Sequence, residues 1–338
     1  MPGRRTRLRL GSMRPHGALA TSCLLAGAAL VGCSAPVAGD ATEVNGVVTQ
    51  GVVRVERAIN LSRDAAAATT SGELDEAALP SAGAEGAGAV TNVLAKFMRL
   101  SSAMDPELAE GAVGKPFVLP SAGSCMVLSP AADDEASSFS SLSPIELLDA
   151  GDVTMKTEST EMPLAARAFP DVGALVFGVF YTSRDATSDL PAPARYVFES
   201  SGSGQLDRFA FEADAPAGPE EVRIGDAELA DGVDLDAGVG AVVQWRADEG
   251  GGAGRTRDII YVDVTSAHGA TVRCAFKDTG RGVIPGSLLD PSTLGPLPAN
   301  ATLAVHRTRQ VPINTSGIDL GEVRFDLSVN GRARIAAR

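Results

Sequence analysis

Along residues 322–329 the apolar Val323, Phe325, Leu327 and Val329 alternate with Glu322, Arg324, Asp326 and Ser328. That period of two predicts a strand with one buried and one wet face. The runs DRFAFEAD (207–214), DIIYVDV (258–264) and TVRCAFKD (271–278) follow the same pattern, and the unbroken apolar run VGALVFGVFY (172–181) reads as a buried strand. Clusters such as SSGSG, DEGGGAG and DPSTLGP punctuate these short runs, with no long helical pattern between them. The prediction is a mainly β chain carrying one or two antiparallel β-sandwich units. A break near EADAPAGPEE (212–221) divides it into a first β unit at 116–215 and a second at 216–338.

Upstream the pattern changes. Residues 33–115 are rich in Ala, Gly, Ser and Thr, and 63–89 hold no aromatic residue, so little apolar area is on offer to offset the entropy of ordering. This region reads as a flexible, partly helical tether. Two segments within it, 42–62 and 89–104, carry apolar residues at helical spacing. In the second, Val90, Val93, Leu94, Phe97 and Met98 fall on one helical face with Leu100 beside it.

The first 32 residues have a different character. Five arginines and no acid precede the short apolar stretch ALATSCLLAGAALVG, which ends at Cys33. A basic start followed by an apolar run well under the roughly 20 residues of a membrane span is a secretory signal. Leu30, Val31, Gly32 and Cys33 resemble the bacterial lipobox. That resemblance implies cleavage before Cys33 and acylation of its thiol, with residues 1–32 lost as a lipoprotein signal peptide. Two or three acyl chains, at about 0.8 kcal/mol per buried methylene, would anchor the protein lastingly in a membrane. Ser34 after the cysteine resembles the outer-membrane default, which implies the outer membrane of a Gram-negative cell envelope.

Charge points the same way. The whole chain has 29 basic and 42 acidic residues, a net of −13, and loss of five arginines leaves 24 against 42, a net of −18. Such a surface opposes nucleic acid and anionic headgroups. The expected partners are the membrane, through the lipid, and an envelope protein.

The region after 216 resembles fibronectin type III and other immunoglobulin-like modules, through Trp245 in AVVQWRA followed by Tyr261 in IIYVDV. In that family the two aromatics sit on neighbouring strands and pack in the core.

Chemistry-bearing residues are sparse. Once Cys33 is lipidated, Cys125 and Cys274 remain in the mature fold, and in the oxidising compartment an exported chain meets they read either as a bridge or as two buried, unpaired cysteines. A bridge would tie the start of the first unit to a central strand of the second. His268 in SAHGA reads as a turn residue and His306 in TLAVHRT as facing water. The acidic loop 226–238 brings Asp231, Asp234 and Asp236 close in sequence, a weak calcium candidate without the full EF-hand pattern. The runs ADDE (132–135) and PEE (219–221) are weaker still. GSG (202–204) lacks the flanks of a nucleophile elbow, and DEGGGAGRTRD precedes a strand instead of opening a helix. No cofactor and no catalytic residue is expected. The sequence therefore favours a non-catalytic envelope lipoprotein that presents β modules for binding or assembly, with an envelope hydrolase using paired carboxylates as the alternative.

Overall fold

Two long strands open the fold, β1 (Val47–Asn60) and β2 (Ala89–Ser101), followed by a short helix, α1 (Pro106–Ala112). The computed structural model describes residues 46–61, 89–114, 117–128, 143–169, 175–183, 190–248 and 258–337. Cys33 and the ADDE run lie outside them. The helices expected within 42–62 and 89–104 are replaced by the strands β1 and β2, over Val47–Asn60 and Ala89–Ser101. In β2, Val93, Ala95 and Phe97 face one core while Met98 and Leu100 face another. A strand covered on both faces yields a dense apolar run whose i, i+3, i+4 coincidences mimic a helix. The valines of β1 tip the same ambiguity toward sheet, because β-branched side chains fit a pleated surface.

The chain continues through β3 (Cys125–Leu128), β4 (Ile145–Leu147), β5 (Val153–Lys156), β6 (Glu161–Ala168), β7 (Val176–Thr182), β8 (Ala194–Ser200) and β9 (Phe209–Ala215). Next come β10 (Arg223–Ile224), β11 (Ala227–Glu228), β12 (Val233–Asp236), β13 (Ala241–Gln244), β14 (Ile259–Ser266), β15 (Thr271–Lys277) and β16 (Arg281–Ile284). A short helix, α2 (Pro291–Leu294), precedes β17 (Ala299–Pro312) and β18 (Leu320–Ala336). The described residues are thus mainly β, as expected.

One continuous sheet runs in the order β3-β15-β14-β17-β18-β1-β2-β4-β7-β6-β5-β8-β9, and β12 joins β18 beside it. It is mixed, not purely antiparallel. β1 pairs with β18 in parallel from Gln50↔Leu320 to Asn60↔Asn330, and β12 takes over from Val233↔Ala333. A second sheet, β11-β10-β13-β16, lies apart.

Two large apolar cores share the same long strands, and a smaller third one lies between β1, β2, β4 and β7 and α1. In the first, the sheet curls from β18 round to β9, which returns to β17, where Arg309 Nη1 donates to the Asp214 carbonyl at 3.2 Å. The enclosed space is filled by aromatic residues, with ring centroids 5.0 Å apart for Phe97–Phe209 and 5.2 Å for both Tyr196–Phe325 and Phe198–Phe211. The second core is a sandwich between β14, β15, β17 and β18 and the small sheet, with Ile260, Val262, Val272, Leu303 and Ile335 facing Val243 and Trp245. Val323 and Phe325 of β18 serve the first core, and Val329, Ala333 and Ile335 serve the second.

Residues 45–338 accordingly cluster as one unit, and β1, β2 and α1, placed by the sequence in the tether, belong to it. β9 matches its expected strand with one wet face. The expectation of a wet face on 322–329 fails, because Arg324 and Ser328 are both only 6% exposed. The run 172–181 contributes β7, but Phe177 is exposed, so that strand is not buried throughout.

Candidate functional site

The outer face of the sheet, opposite the two larger cores, carries a row of polar side chains across six adjacent strands. From one edge it runs Arg273 on β15, Asp263 and Tyr261 on β14, His306 on β17, Asp326 and Arg324 on β18, Arg54 on β1 and Lys96 on β2. Alternation dictates the row. Ile260, Val262 and Val264 point to the second core, so Tyr261 and Asp263 point away from it.

A strap formed by residues 102–114 and 117–128 covers the row. Its α1 segment begins at Asp105, whose carboxylate accepts from the Glu107 amide at 2.9 Å, with Pro106 in the first turn. Ala109 and Val113 pack on Val52, Met98 and Leu100. Further on, Phe117 stands edge-on to Tyr261 with centroids 5.8 Å apart, and the Arg324 guanidinium lies 4.6 Å above the Phe117 ring. The strap ends as β3, pinned to β15 by the Cys125–Cys274 disulfide, a directly opposed cross-strand pair.

The middle of the row is tightly satisfied. His306 Nδ1 lies 2.9 Å from Asp326 Oδ1, the Tyr261 hydroxyl donates to the other Asp326 oxygen, and the His306 and Tyr261 rings stack at 4.1 Å. Arg273 binds both oxygens of Asp263, at 2.9 and 2.7 Å, donates to the Val118 carbonyl at 3.0 Å and lies over the Tyr261 ring. Burial alone would raise the Asp326 carboxyl, but the His306 ring, the Tyr261 hydrogen bond and the Arg273 charge outweigh it and hold the group below its ordinary range. Burial and Asp326 push the Tyr261 hydroxyl upward, so it stays a donor. At the α1 end, Glu110 is likewise lowered, since Arg324 and Arg54 overcome the cost of its burial.

These shifts fix a sign. Both carboxylates have folded pKa values below their unfolded values, near pH 4. Their contribution to stability is complete above that range and is lost as pH falls through the folded values. Melting temperature should therefore decline from about pH 5 downward, and Asp326→Asn should flatten that decline. An identical acid slope in the variant would show that Asp326 does not carry it.

The structure corrects several residue expectations. His306 does not face open water, since its side chain is 16% exposed and paired with Asp326. No sequence spacing announces that pairing, which joins positions 20 residues apart on neighbouring strands. His268 does lie in a turn. Trp245 and Tyr261 are not packed on adjacent strands as the immunoglobulin-like resemblance implied: Trp245 enters the second core against Phe276, and Tyr261 sits on the opposite face of another sheet. Asp231 closes a 3-10 turn, while Asp234 and Asp236 sit on the exposed face of β12. Among the described residues, no three His, Cys, Asp or Glu side chains are grouped to hold a metal ion. Glu220 and Glu221 of the PEE run both pair with Arg246.

An open cleft of about 640 Å³ lies at the end of the small sheet, lined by Leu61, Glu221, Arg223, Glu228, Gln244 and Trp245 among others. Glu221 at its rim has φ 54°, the one non-glycine residue with positive φ among the described residues. For a side chain of this size that is a strained conformation, and the Arg246 ion pair helps hold it.

No family model and no curated protein matches the sequence. Among solved structures, one titled "Crystal Structure of Rst D1-D2" is similar over 64% of this chain and 93% of that one, at 9% identity and a TM-score of 0.15. A likeness at that level carries no functional assignment.

Proposed function

We propose that the chain is an exported, lipid-anchored envelope protein whose β fold serves binding or assembly and not catalysis. The observation that carries export is the disulfide between Cys125 and Cys274, a bond that persists in oxidising compartments and is rare in the cytosol. It agrees with the basic, apolar, lipobox-like start of the sequence. A second support is the mutual satisfaction of the central polar row. The oxygens of Asp326 and Asp263 are already taken by Tyr261, His306 and Arg273, an arrangement that fixes a surface in place. The cleft beside Trp245 offers a concave surface of a size suited to a ligand or a partner's side chains.

Cys33→Ser should abolish incorporation of labelled palmitate and leave the chain unprocessed or displaced from the membrane fraction. Equal labelling of wild type and variant would refute the anchor. The non-catalytic reading is tested separately, by a panel of hydrolase substrates. Turnover that disappears on substitution of a single Asp or Glu would replace it with the hydrolase.

A further inference from the structure

Arg54 and Arg324 are direct register partners in the parallel ladder between β1 and β18. Like charges set opposite each other on one face repel, so this pairing calls for an anion between them. Lys96 reaches the same place from β2. It is 9% exposed, its ammonium donates to the Val113 carbonyl, and burial together with the Arg54 charge lowers its pKa to about 8. Three basic side chains from three adjacent strands thus converge beneath α1.

The carboxylate that bridges the two arginines is Glu110. Glu110 accepts from Arg54 and from both terminal nitrogens of Arg324, the latter at 3.0 and 3.5 Å, and Glu322 accepts from Arg324 as well. The match is incomplete. Arg324 is 6% exposed, and its Nε has no hydrogen-bond partner. A planar carboxylate has two oxygens and one charge. A tetrahedral phosphate offers at least three oxygens and up to two charges, enough to occupy both guanidinium groups, the idle Nε and the ammonium together.

The cover is slight. α1 spans seven residues and buries only Ala109, with Val113 just beyond it, so Glu110 is the main polar tie between this helix and the sheet. We propose that Arg54, Lys96 and Arg324 form a binding site for the phosphate group of a small soluble molecule, and that Glu110 occupies it as a built-in competitor displaced with α1 on binding. A bilayer headgroup is the less suitable source of phosphate, because the chain's net charge of −13 opposes an anionic surface. The inference is independent of lipid anchoring and of the cleft beside Trp245.

Amide hydrogen exchange of the full chain decides it, with inorganic phosphate compared against sodium chloride at equal ionic strength. Phosphate should speed exchange across residues 107–113 several-fold while chloride leaves it unchanged, and equal rates in the two salts would overturn the proposal. Glu110→Gln removes the competitor, so phosphate should raise its melting temperature by several degrees more than chloride does, and Arg324→Gln added to it should abolish the difference. A folded Glu110→Gln variant indifferent to phosphate would also overturn the proposal; if that variant does not fold, the wild-type exchange result stands alone. Vesicles containing phosphatidic acid, mixed with the full chain bearing Cys33→Ser, separate the sources of phosphate. Capture by vesicles with no response to free phosphate would refute a soluble ligand.

Discussion

Arg307→Met should destabilise the protein by about 3–5 kcal/mol, the cost of breaking a buried ion pair by removing one partner. The Arg307 side chain is 2% exposed and pairs with Asp278 at 2.9 Å. Its two terminal nitrogens also donate to the carbonyls of Ala217, Gly218 and Arg246, at 3.1, 2.9 and 2.6 Å. Those carbonyls belong to the connection leaving β9 and to the segment leaving β13, so one guanidinium ties the exit of the first core to the edge of the second. Methionine would fill much of the volume but leave three carbonyls without this donor and Asp278 without its counter-charge. Asp278 would still accept from Trp245 Nε1 at 2.6 Å, which limits the loss at that carboxylate. Arg307→Lys keeps the charge without the planar fork and should recover only part of the stability. Urea denaturation at neutral pH measures both variants. A loss under about 1 kcal/mol for Arg307→Met, the range of an exposed pair, would mean that the site relaxes around the change.

The strands most legible in the sequence are those with one wet face. β9 alternates buried and exposed residues along its whole length, and its pattern can be read without any knowledge of its neighbours. Legibility fails where both faces are covered. Phe97 and Met98 are adjacent in β2 and are 1% and 0% exposed, because one belongs to the aromatic core and the other lies under α1. Only the fold reveals the second cover. The same cause hid the polar row: Arg324 and Asp326 look like a solvent face in sequence, and the strap that covers them lies about 200 residues earlier in the chain, as the Arg324–Glu110 bond with its separation of 214 shows. Position along the chain was equally misleading for domain boundaries. The break at 212–221 is a real connection between β9 and β10, but β1 and β18 run side by side from opposite ends of the sequence and bind both cores into one unit.

Loss of the Cys125–Cys274 disulfide should have an effect of similar size through a different mechanism. Its two ends lie 149 residues apart, and closing a loop of that length removes entropy from the unfolded chain worth up to about 5 kcal/mol in the chain-entropy model. The bond does not clasp two units as the sequence suggested. It joins β3 to its neighbour β15 at one end of the main sheet, where four residues of β3 would otherwise hold the strap by a short edge ladder. The double change Cys125→Ala and Cys274→Ala should therefore lower the melting temperature and, below it, loosen residues 117–128 selectively, because Phe117 and the Val118 carbonyl lose the anchor that keeps them over Tyr261 and Arg273. Cys274 is fully buried in the second core, so truncation also leaves a small cavity there. Reduction of the wild type keeps both sulfur atoms in place and separates the two contributions: a cavity effect appears only in the double variant, whereas loosening of the strap appears in both. Non-reducing digestion and mass spectrometry of the exported protein should yield the Cys125 and Cys274 peptides as one linked species. Recovery of both as free thiols trapped at lysis would remove the pin, and with it the compartment argument on which export rests.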